Sequence, residues 1–270
     1  MDDIDERTSF GLSDVMFDED GKSSEIKLLC GVRYQGVLYD TFTYREMTGE
    51  DEEAISKSEL RSNQAKLITL LLERCIKSIG GLTRKELGLK PWHDLIASMY
   101  VGDQDFMLLA IRAGSLGHEL EVTNECPNPD CKAKLKTFID VDELSIKPFK
   151  GLEEIPFTLN KGYKDMRGNV WKDGIMRIST GLDREILATV FRRNPGLAKT
   201  MMLTRLVTFT GDNAPPTTEL AMKQLTTSDR KILTDLIDEN QFGYETTFEI
   251  TCTTCGEVFT GDLSGTSFLS

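Results

Sequence analysis

The chain carries one order of features twice, with a cysteine pair at the same place in each copy. A cysteine follows a glycine by nine residues at Gly117–Cys126 and again at Gly243–Cys252. A second cysteine then follows each of these, at Cys131 and Cys255. Four thiolates are enough to close a tetrahedral zinc site with no open position. The pattern therefore favours a structural metal over a catalytic one.

The correspondence between the copies extends well upstream of the cysteines. The matched segments are 36–49 with 168–181, 50–55 with 182–187, 65–72 with 198–205 and 105–109 with 229–233. A chance likeness between common residues would not keep its order over so many landmarks. The repeat is far longer than the period of a solenoid, so the sequence predicts two tandem duplicated units and not an array.

Composition limits the class of protein. The chain has 270 residues, of which 39% are hydrophobic and 28% charged, as in ordinary soluble globular proteins. Its net charge of −12 makes it a poor candidate for general nucleic-acid binding, which depends on basic surface. No stretch approaches the roughly 18 apolar residues of a membrane span, so no membrane contact is expected. The acidic first residues, 1–6, predict no secretory signal.

The domain organisation follows from these patterns. Residues 1–26 are predicted to form an acidic N-terminal arm, residues 27–147 the first repeat unit and residues 148–270 the second. Each unit reads as a β-hairpin, then helices, then a two-stranded knuckle that resembles a zinc ribbon. Neither unit has a βαβ rhythm, so the predicted fold class is α+β.

Apolar spacing predicts the principal helices. One runs from Leu67 to Ile79 before Gly80, and its counterpart occupies about 197–209. Candidate N-caps are Thr48, Asp103 or Asp105, Thr180 or Asp183, and Thr227 or Ser228.

The cysteine pairs have the spacing of zinc knuckles. Cys252 and Cys255 are separated by two residues and followed by Gly256, which tolerates a positive φ, while Cys126 and Cys131 are separated by four. The preferred hypothesis is one structural Zn²⁺ held by all four cysteines. A redox Cys-x-x-Cys motif and free thiols are the alternatives; the former lacks a surrounding βαβ unit. The remaining cysteines, Cys30 and Cys75, lie in apolar patterns and are predicted to be core residues.

No other motif marks a reaction centre. The two histidines, His93 and His118, are more typical of cap or surface residues than of catalysts, and phosphate-binding loops and nucleophile elbows are absent from the sequence. The alternating Lys132, Lys134 and Lys136 are more typical of a solvated strand face than of an acidic-partner or nucleic-acid site. We therefore expect no enzymatic activity; the remaining alternative is a hydrolase or redox enzyme.

Several segments together resemble the T4-type baseplate hub family of contractile-tailed bacteriophages, which includes baseplate hub assembly proteins. The segments that carry the resemblance are 47–53, 70–76, 94–95, 103–112, Gly117 and the Cys126/Cys131 knuckle. The resemblance covers roughly 40–145 and extends weakly to 168–262 as the second copy.

The resemblance implies a non-enzymatic virion or assembly protein. It implies partners among other phage baseplate hub, spike or tail-tube initiator proteins, with several copies in the assembly, located in the virion tail baseplate and in the host cytoplasm during assembly. The alternative from a different class is a zinc-ribbon adaptor that binds nucleic acid or transcription machinery, against which the net charge counts.

Overall fold

The computed structural model of the chain describes residues 25–56, 63–245 and 247–263. Its helices are α1 (Gly49–Ile55), α2 (Gln64–Cys75), α3 (Arg84–Leu87), α4 (Leu89–Ser98), α5 (Val101–Leu116), α6 (Gly181–Arg193), α7 (Pro195–Leu206), α8 (Glu219–Gln224) and α9 (Thr227–Asn240), with a 3₁₀ turn at Val141–Glu143. Its strands are β1 (Ile26–Tyr34), β2 (Val37–Tyr44), β3 (Ile76–Ile79), β4 (Leu82–Thr83), β5 (Glu119–Glu125), β6 (Lys134–Asp140), β7 (Ile146–Lys147), β8 (Glu154–Lys164), β9 (Val170–Arg177), β10 (Val207–Phe209), β11 (Gly243–Tyr244), β12 (Thr247–Thr251) and β13 (Val258–Asp262). The predicted α+β class is confirmed. The predicted acidic arm lies outside the described residues, except that Ile26 already begins β1.

Two antiparallel sheets share one plan. Their strand orders are β1-β2-β3-β4 and β10-β9-β8, so in each a hairpin is extended by a short strand that directly follows a helix. The first hairpin turns on Gln35 and Gly36, whose φ angles are +49° and +83°. Positive φ at both central residues matches the right-handed twist of the flanking strands, which explains the glycine.

Apolar residues form two large cores and one small one. The larger core packs the first hairpin against α2, α4 and α5 around the fully buried Trp92 and Phe42. The second packs the β8–β9 hairpin against α7, α8 and α9 around Leu203 and Leu233. The third is confined to the cysteine knuckles and their strands. The larger core also includes Leu263, from the end of the described chain.

A buried carboxylate, Asp51, links three elements of the first unit. Its oxygens accept hydrogen bonds from Arg45 Nη1 and Arg74 Nε, both at 2.6 Å, and from the backbone N–H of Thr48 at 2.9 Å. The end of β2, the start of α1 and the end of α2 therefore meet at one charge. The hydrogen bonds from Arg45 hold the pKa of Asp51 well below its usual range.

Asp183 makes the same contacts in the second half of the chain. It accepts from Arg177 Nη1 and Arg205 Nε at 2.6 Å and from the Thr180 N–H at 3.0 Å. Burial acts to raise the pKa of Asp183, but the bonds from Arg177, Thr180 and Arg205 outweigh it, and the pKa falls to about 2. Both sites have the sequence pattern Arg-x-x-Thr-Gly-x-Asp, at 45–51 and 177–183.

A second pair of buried carboxylates holds two β-bulges. Asp103 accepts the backbone N–H groups of residues 29–31 at 2.8–3.1 Å, where β1 is bulged. Asp229 accepts those of residues 160–162 at 2.9–3.3 Å, where β8 is bulged. A bulge leaves backbone N–H groups without a ladder partner, and a buried donor of this kind must be satisfied. Each carboxylate therefore fixes its hairpin against the helix that carries it.

The N-caps predicted at Asp103 or Asp105 and at Thr227 or Ser228 are wrong. The N-cap residues are Tyr100 and Thr226, and Asp103 and Asp229 lie three residues further on, inside α5 and α9. The carboxylates reach across to the bulges instead of capping their own helix. In bonding a bulge, Asp229 resembles Asp103 and not Asp105, with which the sequence analysis paired it.

The two long helices are shorter than predicted. They end at Cys75 and Leu206, and the apolar residues beyond, 76–79 and 207–209, form strands β3 and β10. A short apolar run fits a strand as well as a helix turn, and here β2 and β9 offer free edges with which it pairs. The N-caps predicted at Thr48 and Thr180 are confirmed.

We predict that Asp183→Asn lowers the unfolding free energy by about 3 kcal/mol at pH 7, because two arginines lose the charge they enclose. Since the folded pKa is about 2 and the unfolded pKa is about 3.9, this contribution is full above pH 4 and is lost as the pH falls through the folded pKa. Urea unfolding of wild type and variant at pH 7 and pH 3 measures both effects. The exposed Asp238→Asn is the control and should change stability by less than about 0.5 kcal/mol. An equal unfolding free energy for wild type and Asp183→Asn would contradict the role given to this carboxylate.

Candidate metal centre

Two β-hairpins, β5–β6 and β12–β13, carry the cysteine pairs in their turns. The first cysteine of each pair follows directly after the incoming strand. The Cys126 N–H donates to the Ala133 carbonyl at 2.9 Å, and the Cys252 N–H donates to the Glu257 carbonyl at 2.7 Å. The two turns are thus closed by the same backbone hydrogen bond, although the first is two residues longer.

Each turn needs a left-handed residue after its second cysteine. Lys132 has a φ of +48° and Gly256 a φ of +77°. This conformation turns the chain back into the outgoing strand, and it is natural for glycine but costs a lysine about 1 kcal/mol. The glycine that the sequence analysis singled out has this role, whereas the strained lysine was read only as part of a charged strand face.

The structure brings the four predicted ligands together. Sγ of Cys126 lies 3.7 Å from Sγ of Cys255, and Sγ of Cys131 lies 3.8 Å from Sγ of Cys252. All four sulfur atoms lie within 4.8 Å of one another. A tetrahedral Zn²⁺ with Zn–S bonds of about 2.3 Å places its sulfur ligands about 3.8 Å apart. The donor set, its number and its spacing therefore fit this ion.

The cysteine thiols of the cluster differ in pKa. Burial raises the pKa of Cys126 to about 12, whereas the backbone N–H of Cys255 lowers the pKa of Cys252 to about 6. Four thiolates at these distances repel one another strongly, so full ionisation requires a bound cation.

The closest sulfur contacts run between the two pairs and not within them. All six cysteines are free thiols, so the described structure gives no support to a redox disulfide within Cys252–Cys255. Of the other two, Cys75 is fully buried as predicted, while Cys30 is half-buried at the β1 bulge.

The second hairpin is anchored on the first half of the chain. Strand β11 pairs with β7, the ring of Tyr244 stacks on Phe106 with centroids 5.8 Å apart, and Leu263 is buried in the larger core. The knuckles share a small core of their own, in which Leu135 and Ile250 pack beside the cysteines. These contacts hold the two turns face to face.

The other candidates from the sequence do not join the cysteine cluster. His118 hydrogen-bonds Asp142 at 2.8 Å on an exposed surface, and His93 hydrogen-bonds Glu73. Lys136 forms an exposed ion pair with Glu121 at 2.6 Å. These contacts agree with the predicted surface roles of the three residues.

A groove of about 760 Å³ lies between the tip of the β8–β9 hairpin and the loop at 212–216. It contains Asp165, but that carboxylate already accepts bonds from Asn169 and from Trp171 Nε1. Arg167 and Asp212 also line the groove.

The family model of T4 bacteriophage base plate proteins matches residues 27–168, more than half of the chain. This chain belongs to the T4 bacteriophage base plate protein family. The resemblance given by the sequence is confirmed at this level. No curated protein and no solved structure matches the chain.

Membership gives the baseplate protein a structural role in the phage baseplate, a place in the virion tail and contacts with other tail and baseplate proteins. The match covers all of the first unit and ends at Gly168, in the turn between β8 and β9. Among the described residues, no helix of this baseplate protein has the length and apolar character needed to cross a bilayer.

Sequence reasoning missed the buried carboxylates of the baseplate protein. The sequence suggests Asp51 as a favourable charge in the first turn of a helix and Asp183 as a candidate N-cap, yet each is held between two arginines. The repeated spacing from Arg45 to Asp51 and from Arg177 to Asp183 was the signal that could have revealed them.

We predict opposite effects of glycine at the two left-handed positions. Lys132→Gly should raise the stability of the baseplate protein by up to about 1 kcal/mol, because it removes the strain of a positive φ, and Gly256→Ala should lower it by about 1 kcal/mol. Thermal unfolding of the two variants beside the wild type measures the difference. Equal melting temperatures for the three proteins would show that these turns do not limit stability.

Proposed function

We propose that the protein is a non-enzymatic structural or assembly component of the baseplate hub of a contractile phage tail. Family membership supports the baseplate role, and the convergence of four sulfurs from two distant segments supports a metal-clamped scaffold. Its partners on this proposal are other hub, spike or tail-tube initiator proteins, met in the host cytoplasm during assembly and retained in the tail.

The proposal includes one structural Zn²⁺ bound by Cys126, Cys131, Cys252 and Cys255. The single observation that carries it is the near-tetrahedral spacing of the four sulfur atoms. With four protein ligands the ion keeps no open position, so it would stabilise the fold and activate no water.

We further propose that residues 27–147 and 148–270 are two copies of one ancestral unit. Support comes from hydrogen-bonding polar residues whose partners and spacing recur in both segments. The matching pairs are Asp51 with Asp183, Asp103 with Asp229, Arg45 with Arg177, Arg74 with Arg205 and Asn63 with Asn194. The offset between partners falls only from 132 to 126 residues along the chain.

The alternative function, a zinc-ribbon adaptor for nucleic acid or transcription machinery, has weaker support. It needs a basic face, whereas the net charge is −12 and Lys136 beside the first knuckle is already paired.

We predict one zinc per chain in the purified protein, measured by plasma mass spectrometry. Cys252→Ser should lose the metal and lower the melting temperature of both halves together, because the ion links hairpins from both and structural zinc supplies about 10 kcal/mol or more of apparent binding energy. Cys30→Ser is the matched control and should keep the metal. A metal-free wild type, or a Cys252→Ser protein that retains a full zinc, would refute the site.

We predict that the protein co-purifies with other baseplate proteins of the same phage when they are expressed together, and that it does not shift duplex DNA at low salt. The acidic surface repels phosphate, whereas a structural component buries protein surface. DNA binding whose affinity falls steeply with salt would favour the adaptor instead.

A further inference from the structure

Besides the contacts around the cysteine knuckles, the two units meet at a junction between the starts of α5 and α6. The loop before α5 runs antiparallel to the loop before α6, so that the Val101 N–H donates to the Ser179 carbonyl at 3.2 Å and the Gly181 N–H donates to the Met99 carbonyl at 2.9 Å. We call the first-unit side of this junction the rear face, made by Asn63, Thr69, Met99, Val101, Gln104 and Asp105. We call the second-unit side the front face, made by Ser179, Gly181, Arg184 and Glu185.

Side chains of α6 complete the junction. Arg184 Nη2 donates to Gln104 Oε1 at 2.6 Å, and Arg184 also pairs with Asp105. The buried Glu185 accepts a hydrogen bond from the hydroxyl of Thr69, and its carbonyl accepts one from Asn63 Nδ2 at 2.8 Å.

The junction is too close for a larger residue at its centre. A Cβ added at Gly181 would lie 1.9 Å from Gln104 Nε2. Gly181 is buried, because the first unit covers it.

Each unit carries both faces, but the single chain uses each face only once. By the correspondence of the two units, the first unit has its own front face at Met47, Gly49, Glu52 and Glu53. The second unit has its own rear face at Asn194, Thr200, Leu225, Thr227, Arg230 and Lys231. Neither set takes part in the junction within the chain.

Solvent exposure differs between the used and the unused copies. Gly181 and Glu185 are buried, whereas their counterparts Gly49 and Glu53 are exposed. On the other side, Asn63 is 6% exposed, whereas its counterpart Asn194 is classed as exposed. Within the described residues, the unused faces thus present Gly49, Glu53 and Asn194 to solvent, whereas Thr200 and Leu225 of the unused rear face are buried within the second unit.

The hydrogen-bonding residues of the junction are repeated on the unused faces. Asn194 and Thr200 occupy the places of Asn63 and Thr69, and Glu53 occupies the place of Glu185. Arg230 Nη2 donates to Thr200 Oγ1 at 3.1 Å, so a cation lies where Glu53 of a second chain would arrive.

The unused faces carry residues of opposite charge at the positions of the junction's ion pair, but with the signs exchanged. Within the chain a front-face cation, Arg184, meets a rear-face anion, Asp105. On the unused faces the front-face residue is Glu52, and Lys231 takes the place of Asp105. The unused front face is therefore complementary to the unused rear face of the same chain type.

We propose that the chain binds a second copy of itself head to tail, through a repeat of its internal junction: the front face of one first unit contacts the rear face of another chain's second unit. Such a heterologous contact uses two different surfaces on each chain, so it continues from copy to copy and closes into a ring when the rotation between units permits it. The inference rests on the correspondence of the two units and is independent of zinc and of other phage proteins.

The first test places a larger side chain at Gly49, the position that corresponds to Gly181 at the centre of the junction. In the single chain a Cβ at Gly49 would meet no atom within 4 Å, and its φ is not in the left-handed region, so Gly49→Leu should fold normally. In the proposed contact the same side chain would collide with Arg230, as Gly181 shows for Gln104. Sedimentation equilibrium of the purified, zinc-loaded full chain should show concentration-dependent association of wild type, weakened at least about tenfold by Gly49→Leu. Thr208→Leu adds the same side chain at an exposed position of β10 that belongs to neither face and should associate as wild type does.

The second test uses the exchanged charges. Glu52→Lys and Lys231→Glu should each weaken association up to about fivefold, as expected for exposed ion pairs, and the double variant should restore it because it reproduces the polarity of Arg184 and Asp105. A wild type that stays monomeric at all concentrations would overturn the proposal. Association that Gly49→Leu leaves unchanged would overturn it as well, since the contact would then lie elsewhere. The zinc content of every variant and its co-purification with baseplate proteins are measured separately, so a failure here is distinct from a failure of the proposed function.

Discussion

Burial of a carboxylate between two arginines is the interaction on which each half of the structure depends. Asp51 and Asp183 each join the end of a hairpin, the first turn of a helix and the end of the next helix. A charge taken out of water is tolerated only when its partners are fixed around it, so these three elements have one permitted arrangement. The apolar cores then fill the space that this arrangement leaves.

The other buried carboxylates extend the same logic to the hairpins. A bulged strand offers backbone N–H groups that no neighbouring strand can accept, and Asp103 and Asp229 accept them from the side. The first contact fixes the bulge of β1 against α5, and the second fixes the bulge of β8 against α9. In both cases an irregular part of a strand is held in place by a helix. The knuckles are held differently: their position depends on strand pairing and on aromatic contacts such as Phe106 with Tyr244.

Much of this architecture could be predicted from the sequence because it rests on local chemistry. Thr48 and Thr180 marked helix starts correctly, and the spacing of Cys252 and Cys255 predicted a turn that points two sulfurs one way. The sequence alone could not show which structures depend on contacts with residues far away in the chain. The apolar run at 76–79 became a strand because β2 offered an edge. Asp103 bonds a bulge 72 to 74 residues away, although its position near a helix start is typical of a cap.

The sulfur cluster joins residues that are 121 and 129 positions apart in the chain. During synthesis, Cys126 and Cys131 therefore leave the ribosome long before Cys252 and Cys255 exist. The early thiols must wait, reduced and unpaired, while the whole second unit is translated. Completion of the cluster thus requires translation as far as Cys255, and a product interrupted between the two pairs has only half of the ligands.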